Sequence, residues 1–346
     1  MSLLAAFHLA VGSGLLLYVF PSNGVQNNDL LPRFTDYIRR FNKSYEVGTM
    51  EFKKRETIFE QTLQRVAWLN KHRNSTYAAL YGINQFSDLT PDEFKEKVHL
   101  TKSNTTAKKT SPSSYPLLRF PLLGNTKIKD LPKKVDWREK KIITPVNDQE
   151  QCGACWAFSS VETIEAMHAL KKGSLEQFSV QQVIDCAAPP NKGCGGGDTC
   201  LSIEWLYESH TKVVLAKDYP FTGKTGSCKK EVKSEKSIQI AKNFTCDSFV
   251  GEEYLMLLHI AHHGPLIAAV DATGWQDYLG GIIQFNCDSE RNHAVQIVGY
   301  DITGEIPYYI VRNSWGTKFG NDGYLNIIIG KNMCRIAEEV SAVDVI

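Results

Sequence analysis

All nine cysteines of this 346-residue chain lie beyond Leu131, and so do five of its six tryptophans. An odd number leaves at least one thiol without an intrachain partner, and the crowding marks one cross-linked body preceded by something different. Disulfides persist in oxidising compartments, and the N-terminus is consistent with delivery to one. Leu3 to Phe20 is an apolar run followed by small and polar residues, the pattern of a secretory signal peptide over residues 1–24, with Ser22 and Gly24 at the cleavage site. The run is also long enough for an uncleaved anchor. Sequons at Asn42, Asn74, Asn104 and Asn243 fit glycosylation along the same route. The net charge of +1 and the lack of any like-charge block argue against a nucleic-acid partner.

Residues 30–100 are charged and helix-prone. Glu51, Arg55, Phe59, Thr62, Val66 and Asn70 recur at steps of three and four, which keeps them on one helical face. An ordinary amphipathic helix would show the same spacing. The stretch "TKSNTTAKKTSPSSYP" reads as an exposed, protease-accessible linker. In the body, "CWAFSSVETIEAMHALKKG" predicts a helix with Lys171 and Lys172 in its last turn and Gly173 as its stop. Later segments such as "GPLIAAVDA", "NHAVQIVGYD", "PYYIVRNSWG" and "GYLNIIIG" are short, β-rich and bounded by Gly or Pro. A helical half followed by a strand-rich half predicts an α+β fold with a cleft between two lobes.

Cys152 and Cys155 form a C-x-x-C within "NDQEQCGACWAF". A redox-active dithiol needs a βαβ setting, which the surrounding pattern does not supply. Zinc needs two further ligands, and Cys194 and Cys200 are wrongly spaced for a second knuckle. Both thiols could be structural. Alternatively one is bridged and the other is a nucleophile, stabilised as thiolate by the helix N-terminus at Cys155. Such a nucleophile needs a histidine, a group orienting that histidine, and donors aimed at an oxyanion; the Gln149 side-chain amide is placed for the last role.

"QCGACWAF" resembles the nucleophile signature of the papain-like cysteine proteases, with Ala154 where Ser is usual. The resemblance continues through "VDWREK", "CGGG", "NHAV" and "VRNSWG" and covers nearly everything from residue 50 onward. It implies a two-lobe fold with a helical lobe and a β-barrel-like lobe, preceded by a helical prodomain. It implies Cys155 as nucleophile, His293 as acid/base, Asn313 orienting the imidazole, and Gln149 with the Cys155 N–H as oxyanion hole. Trp315 would cover the His–Asn contact. A surface histidine and a turn asparagine are the bland alternatives, and the four positions together outweigh them.

The same resemblance implies the pairs Cys152–Cys194, Cys186–Cys228 and Cys287–Cys334, and leaves Cys200 and Cys246 either paired or as thiols. Gly195 stands where the family usually has Asn, and Thr62 and Val66 depart from the usual Asn and Ile of the prodomain helix. Gly196 and Gly197 would admit substrate backbone. Asp198, Thr199, Ala269, Ala294 and, at its base, Glu339 would line the pocket for the second residue before the scissile bond. An acid there would favour Arg or Lys, although a shift of one residue would substitute Glu338, and two solvated glutamates are the ordinary alternative.

The organisation implied is an inhibitory propeptide with linker over residues 25–130 and a peptidase over residues 131–346. The expected protein is a secreted or lysosomal endopeptidase zymogen, a monomer acting on polypeptides, held by its own propeptide and released by acid. No metal or organic cofactor is implied. The competing classes are a silent homologue acting as a binding or inhibitory protein, which would have lost Cys155, His293, Asn313 or Gln149, and a redox protein, which would keep Cys152 and Cys155 both free.

Overall fold

The structure is a computed structural model and describes residues 29–99, 131–187, 189–241, 244–287 and 289–346. The leader expected over residues 1–24, Asn104 and Asn243 lie outside the described residues. The chain forms two compact units, residues 1–44 and 45–346. In the first, helix α1 (Leu30–Arg40) carries Leu30, Phe34 and Tyr37 at helical spacing and closes on Arg39 and Arg40, which suit its negative C-terminal end.

The second unit opens with α2 (Met50–Lys71), whose first turn is capped by the Thr49 hydroxyl accepting the Phe52 N–H at 3.2 Å. Its buried side is Phe52, Ile58, Phe59, Thr62, Leu63 and Leu69. The face singled out by spacing therefore divides. Phe59 and Thr62 are in the core, whereas Glu51 pairs with Arg55 at 2.6 Å. Asn70 clamps the next element: its Nδ2 donates to the Tyr81 carbonyl at 2.7 Å and its Oδ1 accepts the Tyr81 N–H at 3.1 Å. That fixes strand β1 (Leu80–Tyr81). Helix α3 (Pro91–Lys97) begins on a capping box of Thr90 and Glu93 with Pro91 in its first turn.

Beyond residue 130, β2 (Lys134–Asp136) leads to α4 (Cys155–Lys172), which ends on Gly173 at φ +73°, the left-handed geometry a C-terminal glycine accommodates. Helices α5 (Val180–Cys186) and α6 (Thr199–Glu208) and the short strands β3 (Val213–Val214) and β4 (Ser237–Ile238) pack with α4 around Trp156, Val161, Ile164, Val183, Ile203 and Leu206.

The remaining elements are β5 (Thr245–Asp247), α7 (Glu253–His262), β6 (Leu266–Val270), β7 (Tyr278–Gly280), β8 (Ile282–Ile283), β9 (His293–Asp301), β10 (Tyr308–Arg312), β11 (Tyr324–Ile328) and β12 (Val340–Ala342). They build a mainly antiparallel sheet in the order β5-β12-β6-β9-β10-β11-β8, with β2 also on β9. The expected barrel-like lobe is thus an open sheet: β5 and β8 end the path and do not pair with each other among the described residues. The outer edge of β8 is taken by the N-terminal segment: the Ile282 N–H donates to the Tyr77 carbonyl at 2.8 Å and the Ile282 carbonyl accepts from the Ala79 N–H at 2.7 Å.

Four disulfides tie the body: Cys152–Cys194, Cys186–Cys228, Cys287–Cys334 and Cys200–Cys246. The last joins the first turn of α6 to β5, so these two cysteines are bridged to each other.

The two cores meet across α4 at a buried polar cluster. Arg312 pairs with Glu162 at 3.1 Å, and Thr144 donates to Glu165 at 2.6 Å. Burial pushes the Glu165 carboxyl up to about 7, against the hydrogen bond from Thr144 and the charge of Arg312. A carboxyl whose folded value is raised is harmless below its unfolded value near 4.5 and destabilises progressively as pH rises toward the folded value. The folded chain should lose on the order of 3 kcal/mol from this group between about pH 4.5 and 7. Glu165→Gln should flatten the fall in thermal midpoint over that window. Parallel midpoint-against-pH curves for the two proteins would exclude Glu165 as its source.

Candidate active site

Cys155 is the first residue of α4, no side chain caps that end, and its own N–H and that of Trp156 face the thiol. It is also the free cysteine among the described residues. His293 opens β9, and Asn313 follows the last residue of β10, its neighbour in the sheet. His293 Nε2 lies 2.7 Å from Asn313 Oδ1, and the Ser314 N–H donates to the same oxygen at 2.8 Å. That second donor identifies the oxygen as an acceptor, so Nε2 carries the hydrogen and Nδ1 of the neutral ring is the base. Nδ1 is buried and has no hydrogen-bond partner among the described residues. Trp315 lies over the imidazole with ring centroids 4.8 Å apart, and Trp275 meets it edge-on at 6.0 Å.

Gln149 is fully buried and doubly anchored by one residue. Its backbone N–H donates to the Ser314 carbonyl at 2.8 Å, and the Ser314 hydroxyl donates to Gln149 Oε1 at 2.6 Å. The amide is therefore oriented with its NH2 toward the cleft side. There Nε2 donates to the carbonyls of Cys152 at 3.0 Å and Val98 at 3.3 Å. Val98 directly follows α3, within the stretch the resemblance implies to be propeptide, so the donor expected to meet an oxyanion is engaged by a carbonyl from outside the body. Reading along the sequence did not single out Ser314; its place inside "RNSWG" was visible, its contact with Gln149 was not.

Burial dominates the electrostatics. It pushes the Cys155 thiol up to about 11, opposed by backbone groups of Ala294, Trp156 and Cys155 itself. Burial also lowers the His293 imidazole to about 4, opposed by the hydrogen bond to Asn313. Both shifts favour the uncharged forms, a neutral thiol and a neutral imidazole.

The remaining expected site residues flank this centre. Ala294 follows His293 on β9 and faces Ala269 in the β6–β9 register. The Ala269 N–H donates to the Glu339 carbonyl at 3.0 Å, and Thr199 donates to Glu339 Oε1 at 3.4 Å. Glu339, not Glu338, is thus the acid beside Thr199; Glu338 is held by Arg335 at 2.8 Å. Gly196 has φ +106°, and a Cβ on Gly197 would fall 2.6 Å from the Trp156 indole. Close approach at Gly197 is therefore required by Trp156. Asn42 and Asn74 are exposed, as glycan acceptors must be. Asp198, Cys200 and Glu339 offer ligand atoms within 4.8 Å of one another, but Cys200 is bridged to Cys246 and cannot also be a thiolate ligand.

Residues 131–343 match the family model described as papain family cysteine protease, and residues 34–94 match the cathepsin propeptide inhibitor domain. The chain belongs to the papain family of cysteine proteases. Within that family it is 44% identical to cathepsin O of Mus musculus, over 82% of this chain and 88% of that protein. It is 43% identical to cathepsin O of Homo sapiens, over 82% and 86% respectively. Among solved structures it resembles a recombinant stem bromelain precursor (TM-score 0.76, 29% identity, 91% of this chain and 99% of that one). It also resembles digestive procathepsin L2 of Tenebrio molitor larval midgut (TM-score 0.77, 28% identity, 91% and 99%). The papain-like fold and an N-terminal inhibitor segment are thereby shared with these precursors.

Ser314→Ala removes the hydroxyl that fixes the Gln149 amide and leaves the reacting groups in place. One such hydrogen bond contributes about 1 kcal/mol, so kcat should fall roughly fivefold with KM nearly unchanged. An unaltered kcat would show that Ser314 does not orient Gln149.

Proposed function

We propose that the chain is the zymogen of a cysteine endopeptidase that enters the secretory pathway and degrades polypeptides in the lysosome or outside the cell, as a monomer. The single observation that carries the catalytic reading is the fixed His293–Asn313 contact. It leaves Nδ1 as the free base next to the element bearing the unpaired thiol. Once the cleft is uncovered, the Cys155 proton passes to His293 Nδ1 and the thiolate attacks the scissile carbonyl carbon. The Gln149 NH2 and the Cys155 N–H hold the resulting oxyanion. The imidazolium then protonates the departing amine as the C–N bond breaks, leaving a thioester. His293 removes a proton from water, which attacks the thioester carbonyl; the C–S bond breaks, the carboxylic acid departs, and the imidazolium returns the proton to the Cys155 thiolate. Cleavage of internal bonds is supported by the end of α7 at His262, where Gly264 turns the chain straight into β6. No histidine-bearing insertion of the kind that blocks the cleft in family exopeptidases stands between Trp205 and Gly264.

Latency is supported by how the pro-segment meets the body. Arg65 grips the buried Asp277 with two bonds, 2.5 Å and 2.9 Å. Gln276 Nε2 donates to the carbonyls of Phe86 and Leu89, Asn84 donates back to the Gln276 carbonyl at 2.8 Å, and Phe94 packs edge-on against Trp315. Burial disfavours the thiolate–imidazolium pair, and on this reading uncovering the cleft is what restores it. The acid trigger does not run through Glu93. Hydrogen bonds from the Thr90 backbone, Arg55 and Lys54 outweigh its burial and lower its carboxyl to about 2. A depressed carboxyl keeps its stabilising effect until pH falls through that value.

Cys155→Ala should abolish peptide hydrolysis and leave the zymogen folded. His293→Ala should be nearly as damaging and Asn313→Ala milder, since it misorients the base without removing it. Turnover by the Cys155→Ala protein would refute the assignment. Alkylation of Cys155 should show an inflection well above neutral pH in the zymogen and shift to acid after the pro-segment is removed; coincident profiles would separate burial from latency. Asp277→Asn strands the Arg65 charge at a cost of about 3 kcal/mol, so the variant zymogen should show activity at neutral pH. Unchanged latency would rule out this ion pair as the latch.

A further inference from the structure

The wall beside the reacting pair carries a charge that the substrate-pocket expectation did not include. Arg291 lies two residues before His293 and is not part of the motif around it. Its Nη1 donates to Glu339 Oε2, and its Nε is 3.5 Å from Glu338 Oε2. The Arg291 and Glu339 side chains are only 15% and 12% exposed. The other Glu339 oxygen accepts from Thr199, and Asp198 lies close enough to act on it electrostatically. Both oxygens of the acid expected to receive a basic substrate side chain are therefore occupied from within the chain.

Their position ties this pair to the reaction. Glu339 leads into β12, whose Val340 faces Ala268 on β6, and Ala269 on β6 faces Ala294, which contributes a backbone contact to the Cys155 thiol. The same carboxylate meets Thr199 at the start of α6, and α6 is fixed to β5 by Cys200–Cys246. An acid so placed, with no partner, would select a cation. With Arg291 seated on it, an incoming Arg or Lys must first displace a partly buried guanidinium and then lie beside it.

We propose that Arg291 is a specificity-determining residue that supplies internally the positive charge Glu339 would otherwise take from the substrate, so that the pocket accepts uncharged side chains and excludes basic ones. This rests on the protease reading above. Removing Arg291 should then unmask an acidic pocket, and removing Glu339 should leave a cationic one. Selectivity of this kind comes from like-charge repulsion as much as from attraction.

The test uses the full-length zymogen, converted by acid, as wild type and as Arg291→Gln, Glu339→Gln and the double variant. kcat/KM is measured on three peptide substrates differing only in Leu, Arg or Glu at the second residue before the scissile bond. Ratios between substrates on one sample are independent of how much of it folds. Wild type should favour Leu over Arg. Arg291→Gln should raise the Arg-to-Leu ratio by at least about tenfold, Glu339→Gln should raise the Glu-to-Leu ratio, and the double variant should return both toward wild type. An Arg-to-Leu ratio in Arg291→Gln equal to that of wild type, or a wild-type preference for Arg, would overturn the proposal. Failure of the wild-type enzyme to cleave any of the three would instead overturn the protease reading.

Discussion

The Arg312–Glu162 ion pair sets the register on which the candidate site depends. Arg312 is the last residue of β10 and is followed by Asn313; Glu162 lies two turns along α4 from Cys155. Arg312 also approaches Gln296 on β9, three residues from His293, and donates to Thr144 and to the Pro145 carbonyl. Three elements that each deliver one member of the site thus converge on one guanidinium. A buried pair of this kind adds little net stability, but stranding either charge costs several kcal/mol. Only one alignment of α4 against the sheet satisfies it. The reacting groups inherit their positions from that alignment.

Covering the site uses the same desolvation that a finished protease must avoid. The pro-segment docks by adding β1 to β7, by the Asn84–Gln276 exchange and by placing the Val98 carbonyl on Gln149. Nothing in this requires the thiol or imidazole to move. Burial raises the thiol and lowers the imidazole at once, so it favours the neutral forms of both.

What could be read from the chain, and what could not, follows sequence distance. Gly173 ends α4 because a helix stop is written in adjacent residues, and the strands beginning near Leu266, His293, Tyr308 and Tyr324 announce themselves by local β-rich runs. Cys155, His293 and Asn313 were legible through the motifs around them. Contacts between distant residues were not. Arg65 meets Asp277 across 212 positions, Ser314 meets Gln149 across 165, and Arg291 meets Glu339 across 48. The Arg291 contact matters most, since a glutamate at a pocket wall reads as a vacancy for a cation until its internal partner is seen. How far the barrel-like lobe closes was not legible for a related reason: strand runs are local, whereas closure depends on which edges meet, and here β5 and β8 end an open path.

The pairing of β1 with β7 also has a colloidal side. When the pro-segment departs, Tyr278–Gly280 loses its partner strand β1 and becomes a bare strand edge, with Leu279, already 36% exposed, at its centre. Such margins template lateral association between molecules. This one is three residues long, and Gly281 follows it at φ +78°, bending the chain away before a longer ribbon can form. The brevity that makes the pro-segment easy to shed also leaves too little backbone for one mature molecule to zip onto another.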